Sequence, residues 1–245
     1  TDVNNHTYDF ARYAYSEGLV VIDDPWSILK CSNKIYLYER LRKNNINMPD
    51  TFILNQHQFK PGNYKNVTFP LILKKPDSAF SKGVFKVTNQ KMFLEKLKEL
   101  FKSSQMILAQ EYIESAFDWR IGVLNNKAIY ACKYYMSKGH WQIYNWHDQD
   151  EFDGLVDTLK LEDVPEKVLK AAVKAASLIG NGLYGVDLKE KDDKVYLIEV
   201  NDNPSIDHGI EDAVYGYKIY QDIMNYLFTS IDRERNITRY VSQSK

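Results

Sequence analysis

Cysteine is nearly absent. Cys31 and Cys132 are the only two in 245 residues. Two thiols cannot build a disulfide framework, and such usage fits a reducing compartment, so a cytoplasmic location is expected. An excess of charge of one sign is lacking too. Lys plus Arg number 32 against 33 for Asp plus Glu, a formal net charge of -1. That balance argues against nucleic-acid binding through general basic charge, although a local basic cleft is compatible with it. Long apolar runs are missing. Stretches such as Leu19 to Ile22 or Pro70 to Leu73 are far too short to span a membrane, and no signal-peptide pattern opens the chain. No internal repeat or low-complexity tract stands out. The five histidines are scattered, with no Ser/His/Asp or Cys/His arrangement, which gives a hydrolase little support.

What is present is ordinary for a globular chain: 44% hydrophobic and 27% charged residues, enough for a sizeable core. The length allows one large domain or two small ones. Tyrosines number 18 against 11 phenylalanines and 4 tryptophans. Tyrosine suits half-buried strands and clefts, though codon bias explains the count equally well.

The pattern of elements mixes helices and strands without strict alternation, which predicts an α+β fold. A helix is expected over Asn33–Asn44, capped by Ser32. Thr51–Leu54, Phe69–Leu73, Gly83–Val87 and Met106–Ile113 read as strands, with a helix capped by Thr88 running through Phe101. Arg120–Leu124 and Lys127–Tyr135 flank Asn125-Asn126, a hairpin turn. Gly139–Gly154 has no period and reads as a loop. Pro165–Ile179 is the clearest helix, with Pro165 where a first-turn proline is tolerated and Gly180 and Gly182 ending it. Leu183–Lys189 and Lys194–Val200 are strands, and Glu211–Ile231 is a last helix with Val214, Tyr217, Ile223, Leu227 and Ile231 on one face.

The strongest chemical signal is Gly185-Val186-Asp187 followed by Glu199-Val200-Asn201. Strand alternation puts Glu199 and Asn201 on one side, in line with Val195 and Leu197. A three-residue hairpin loop would set Asp187 across from Glu199. Two carboxylates and an amide oxygen are the ligands that Mg²⁺ or Mn²⁺ prefer, commonly shared with nucleotide phosphates. Without a metal the two acids would repel each other. A hairpin with exposed charges is the plainer alternative. A second signal is the apolar run Phe69 to Leu73, which delivers Lys74 and Lys75 beside the turn Asp77-Ser78-Ala79-Phe80-Ser81-Lys82-Gly83. A lysine there can reach phosphates, but surface lysines are common and the turn has one glycine. The third is Gln110-Glu111-Tyr112-Ile113, with Asp118-Trp119-Arg120 close behind. In a nucleotide site such a backbone can pair with an adenine edge and the acid can hold ribose hydroxyls.

Taken in this order, with Cys31-Ser32-Asn33-Lys34 ahead and Asp202-Asn203-Pro204-Ser205 behind, the motifs resemble the RimK-like carboxylate–amine ligases of the ATP-grasp superfamily. The resemblance runs from about Val20 to the last helix. It implies two α+β lobes clasping ATP: an N-terminal lobe over 27–108 and a C-terminal lobe with the metal site over 109–235, followed by a polar tail over 236–245. Lys34 and Lys74 would contact the phosphates, and Asn145 would match an asparagine that reaches them. Glu111, Tyr112 and Ile113 would line the adenine hinge, with Asp118 at the ribose. Asp187, Glu199 and Asn201 would hold one or two divalent ions, Mg²⁺ or Mn²⁺. Arg120, Asn203 and Ser205 would face the acceptor. The implied reaction joins a carboxylate to an amine through an acyl phosphate, with an amino acid added to a small molecule, peptide or protein. Rivals are a small-molecule kinase on the same architecture and a nucleotide-binding module without turnover. No nucleic acid or membrane is expected as a partner, and the oligomeric state is left open. Residues 1–26 resemble the end of a preceding domain or a linker, as in a RimK-like subgroup with an additional N-terminal domain; Thr1 in place of Met agrees with that or with processing. Two departures stand out. Ser78, Ala79 and Ser81 occupy a loop that is glycine-rich in RimK, and Tyr144 precedes Asn145 where RimK has an arginine.

Overall fold

The computed structural model of the protein describes residues 5–64, 67–78, 83–137, 140–143 and 155–243. The chain opens with three helices, α1 (Asn5–Ser16), α2 (Pro25–Ser32) and α3 (Lys34–Arg42). The single helix expected from Asn33, capped by Ser32, is corrected by this arrangement. Ser32 ends α2, and Asn33 stands between the helices in an extended conformation. The Asn33 amide oxygen accepts the N–H groups of Ile35 and Tyr36, which relieves two donors that a helix start leaves unpaired. Lys34 is thereby fixed at the first position of α3.

The first sheet contains β1 (Thr51–Asn55), β2 (Leu71–Lys74), β3 (Val84–Val87) and β4 (Met106–Glu111) in the order β1-β4-β2-β3, every pairing antiparallel. Its alternation is clean. Leu71 and Leu73 of β2 and Ile107 and Ala109 of β4 face α4 (Gln90–Leu100), where Phe93, Leu97 and Leu100 are buried. Ile72, Lys74 and Gln110 face the opposite way, into a cleft. The cap of α4 is Asn89, whose side chain accepts from Met92 N–H, and not Thr88.

The second sheet contains β5 (Phe117–Leu124), β6 (Lys127–Tyr135), β7 (Val156–Leu159), β8 (Leu183–Lys191) and β9 (Lys194–Asn201), ordered β7-β6-β5-β8-β9 and again antiparallel. β7 has no counterpart in the sequence reading. Of the expected loop over Gly139–Gly154, residues 140–143 fall within the described part. The β5–β6 turn uses Asn125 and Asn126 at φ 47 and 61, and the β8–β9 turn uses Asp192 and Asp193 at φ 50 and 60. Asn and Asp tolerate this left-handed conformation, whose twist suits a two-residue hairpin. One face of the sheet packs on α5 (Glu166–Ser177), whose buried Val168, Ala172, Ala175 and Ala176 meet Ile121, Val123, Val186, Leu188, Leu197 and Val200.

The other face meets α6 (Tyr217–Gln243) through Ile219 and Ile223, which pack on Tyr130, Cys132 and Tyr134. This helix starts six residues later than expected. Glu211 is fully buried and its carboxylate is taken by the Tyr134 hydroxyl and the Asp207 N–H, so residues 208–216 form turns instead of a helical start. Val214, Tyr217 and Ile231, expected on the inner face, are exposed, as are Met224 and Phe228. α6 continues to Gln243, into the segment expected as a polar tail. Among the described residues no helix is long and apolar enough to cross a membrane.

Candidate active site

The two sheets face each other across one cleft, and the β8–β9 hairpin forms its acidic wall. The two-residue turn sets Lys191 opposite Lys194 and Leu188 opposite Leu197. Carried on, that register would set Asp187 opposite Ile198. The register instead shifts between Leu188 and Asp187, and Asp187 pairs with Glu199. Ile198 is the extra residue of a β-bulge. Asp187 and Glu199 are therefore cross-strand neighbours, as the sequence suggested, but a two-residue turn plus a bulge does the work assigned to a three-residue loop. The bulge also corrects the expected facing. Val195 and Leu197 lie in the core under α5 with Val200, whereas Ile198, Glu199 and Asn201 line the cleft.

Gly185 explains the spacing of the motif. It pairs with Asn201, and a Cβ built on it would lie 2.7 Å from Pro204 Cβ. Only glycine lets the chain after β9 fold back so closely that Asn203, Pro204 and Ser205 line the cleft.

Arg120 of β5 pairs with Asp187 on the other side, completing a row Arg120–Asp187–Glu199 across three strands. Arg120 Nε and Nη2 donate to the two Asp187 oxygens at 2.8 and 3.0 Å, and its guanidinium carbon lies 5.0 Å from the Tyr134 ring centroid. Burial works against the Arg120 charge, but Asp187 outweighs it and holds the pKa well above the ordinary arginine value. Asn201 Nδ2 donates to the same acid at 3.2 Å. Lys34 reaches over from α3 and pairs with Glu199. Burial would raise the Glu199 pKa, yet Lys34 and then Lys74 bring it below the ordinary value. The repulsion expected between the two acids is thus relieved within the chain, each carboxylate having its own cation.

On the first sheet, Lys74 ends β2, and its ammonium donates to Gln110 Oε1 at 2.8 Å. Burial lowers its pKa to about 8, with Glu199 opposing the shift. Glu111, Tyr112 and Ile113 follow in the cleft wall where β4 ends. The Glu111 N–H is taken by Asp50 O at 2.7 Å and the Tyr112 N–H by Pro70 O at 3.3 Å. Asp118 is the second residue of β5. Lys189 pairs with it, and Ser115 Oγ donates to it at 3.3 Å. Burial raises the Asp118 pKa and Lys189 opposes the rise.

The structure brings Lys34, Lys74, Glu111, Tyr112, Ile113, Asp118, Arg120, Asp187, Glu199, Asn201, Asn203 and Ser205 into one cleft. Asn145 lies outside the described residues. Sequence reasoning assigned no role to Gln110, Lys189 or Trp141, which also line the cleft. Lys189 follows Asp187 by two on a strand, so alternation alone places it on the same face. Gln110 had the signal of a polar residue ending an apolar strand. Trp141 sits 6.2 Å from Tyr112, ring edge to ring face, on a segment whose sequence has no period to read.

Two facing carboxylates and an amide suit a hard divalent ion in donor type, although among the described residues no group of three or more His, Cys, Asp or Glu side chains could hold a metal unaided. An ion held by these three groups would need further oxygen ligands.

Comparison with known proteins agrees with this geometry. An α-aminoadipate–LysW ligase, LysX, from Sulfolobus acidocaldarius is 26% identical over 214 residues, covering 84% of this chain and 73% of that protein. A probable α-L-glutamate ligase from a Shewanella species is 29% identical over 214 residues, covering 86% and 67%. Among solved structures, D-alanine–D-alanine ligase from Bacillus anthracis complexed with ATP superposes with a TM-score of 0.73 at 18% identity, covering 92% of this chain and 75% of that one; it shares the fold. The RimK-like ATP-grasp domain profile matches residues 31–227, and the chain belongs to that family.

Proposed function

We propose that the protein is an ATP-dependent ligase that joins a carboxylate to an amine. The observation that carries this reading is the row Arg120–Asp187–Glu199 facing Lys34 and Lys74 across one cleft. Such a cleft is suited to the several negative charges of a triphosphate, and neutralising those charges is the main task in phosphoryl transfer.

The base end of the nucleotide lies along Glu111, Tyr112 and Ile113, and Asp118 accepts from the ribose hydroxyls. Lys34 and Lys74 donate to phosphate oxygens. Asp187, Glu199 and Asn201 would hold one or two ions, Mg²⁺ or Mn²⁺, which would supply positive charge to the phosphate oxygens. A substrate carboxylate oxygen attacks the γ-phosphorus, the bond to the β-γ bridging oxygen breaks, and ADP leaves. Phosphorylation gives the acyl carbon a good leaving group where it had only oxide. The amine then attacks that carbon, loses a proton, and expels inorganic phosphate. Arg120, Asn203 and Ser205 face this end of the cleft, where a guanidinium can stabilise the tetrahedral oxyanion. No side-chain nucleophile is needed. The boundary expected at 108/109 runs through β4, which belongs wholly to the first sheet; α3 and β2 supply the lysines and β8 and β9 the acids, so neither sheet alone completes the site. The relatives named for α-aminoadipate and glutamate chemistry favour an amino acid as one reactant.

Hydroxylamine trapping tests this. A panel of carboxylates is incubated with ATP, Mg²⁺ or Mn²⁺ and hydroxylamine, and hydroxamate and ADP are measured. Matched formation of both is expected for at least one carboxylate. A stable phosphorylated product without amine dependence would establish a kinase instead, and ATP binding without carboxylate-dependent ADP release would establish a binding module.

A further inference from the structure

We propose that Gln110 is the positioning residue of Lys74: a hydrogen-bond chain through Thr51 fixes the Gln110 amide so that it aims the Lys74 ammonium into the cleft without neutralising it. The inference rests on the reading of Lys74 as a phosphate contact and adds to it the group that makes the contact effective.

Gln110 lies in the middle of the first sheet, opposite Thr51 on one side and Ile72 on the other, and is 5% exposed. Thr51 Oγ1 donates to Pro49 O at 2.8 Å, and Gln110 Nε2 donates to Thr51 Oγ1 at 3.0 Å. A hydroxyl has a single proton. With that proton committed to Pro49, Thr51 can only accept from Gln110. The Gln110 amide therefore cannot flip, and its oxygen must face Lys74, which donates to it at 2.8 Å.

The choice of glutamine has a physical reason. An ammonium has three donors; Gln110 takes one and turns the remainder toward the cleft that Lys74 lines. Lysine has a flexible four-carbon stem, and an apolar neighbour would leave that stem free to reorient. A carboxylate would orient it equally well but would also pair with it, competing with phosphate oxygens for the same charge. A neutral acceptor orients and leaves the charge available. Burial already brings Lys74 to about 8, so a support that accepts one N–H also helps keep the ammonium protonated near neutral pH.

The test compares Gln110→Met, Gln110→Glu and Thr51→Val with the parent protein, using calorimetric binding of Mg²⁺–ATP and of adenosine, which has the base and ribose but no phosphate. Thermal melting verifies that each variant folds. Gln110→Met is expected to weaken ATP binding about tenfold, the scale of one hydrogen bond to a charged group, and to leave adenosine binding unchanged. Gln110→Glu should weaken ATP at least as much despite keeping an acceptor. Thr51→Val, which removes only the lock on the amide, should fall between the parent and Gln110→Met. Equal losses for ATP and adenosine, or parent-like ATP binding by Gln110→Met and Thr51→Val, would overturn the assignment. Lys74→Met separates the two readings. If it leaves ATP affinity intact, Lys74 is not a phosphate contact and the underlying reading fails. If it weakens ATP while Gln110→Met does not, only the role of Gln110 fails. In the Lys74→Met background, Gln110→Met should add no further loss, because both remove one coupled element.

Discussion

Gly185→Ala probes how the motif is built. The new Cβ would sit 2.7 Å from Pro204 Cβ, while ordinary contact begins near 3.4 Å, so a gap of about 0.7 Å must open. A long side chain could swing away, but the Pro204 ring is closed onto its own backbone. The backbone must move, and Asn203 and Ser205, which line the cleft on either side of it, move with it. Overpacking of this kind costs about 1–3 kcal/mol. For a chain of this size each kcal/mol lowers Tm by about 2–4 °C, so a fall of between 2 and roughly 12 °C is expected. Activity should suffer more than stability. A misplacement approaching 1 Å at reacting groups can cost about 10²-fold, so ADP release in the presence of carboxylate should drop between about 10- and 100-fold. The assays are a thermal melt and coupled ADP release. Gly62→Ala is the control, since nothing lies within 4 Å of its Cβ. A Gly185→Ala protein with parent Tm and parent turnover would refute the reasoning.

Glu199→Ala is expected to abolish metal-dependent ADP release while the circular dichroism spectrum stays that of the parent; unchanged turnover would remove Glu199 from the ligand set. Asp23 should make stability depend on pH. Burial, then Asp202, raises its pKa to about 7. The folded state therefore holds this proton more tightly than the unfolded chain, and Asp23 destabilises the fold progressively as pH rises from about 4 to about 7. Asp23→Asn keeps a residue that tolerates φ 60 and should raise Tm at pH 8 but not at pH 4; an equal effect at both would contradict this. Asn89→Ala removes the acceptor of Met92 N–H at the start of α4 and should cost about 1 kcal/mol, read as a small fall in Tm with kinetics unchanged.

Much of the site was legible because short-range rules fix it. The apolar run ending in charge marked β2 with Lys74, and the two apolar runs around a short polar turn marked the β8–β9 hairpin that pairs Asp187 with Glu199. Helix starts were less legible. Ser32 and Asn33, like Thr88 and Asn89, are both good caps by composition, and the choice between neighbours depends on which one the tertiary structure leaves in extended conformation. The onset of α6 was unreadable for a different reason. Glu211 looks like a first-turn residue, but Tyr134, 77 residues earlier in sequence, takes its carboxylate. The pairing of Lys34 with Glu199 and of Arg120 with Asp187 was likewise hidden, since it joins elements 165 and 67 residues apart.

The bulge at Ile198 was in principle readable, and the reason bears on how the acidic wall arises. β9 has two buried obligations. It must give α5 an apolar face, which Val195, Leu197 and Val200 provide, and it must give the cleft Glu199 and Asn201. A regular strand shows the same face at every second residue. Val195 and Leu197 obey that parity, but Leu197 and Val200 are three apart, so both cannot face α5 unless one residue is inserted between them. Without the insertion, Glu199 would follow Leu197 into the apolar core, where an unpaired carboxylate is strongly disfavoured. Burial of Leu197 and Val200 therefore drives the register shift, and the shift turns Glu199 toward Asp187. The acidic pair is in this sense produced by the hydrophobic pattern: the core selects the bulge, and the bulge places the carboxylate.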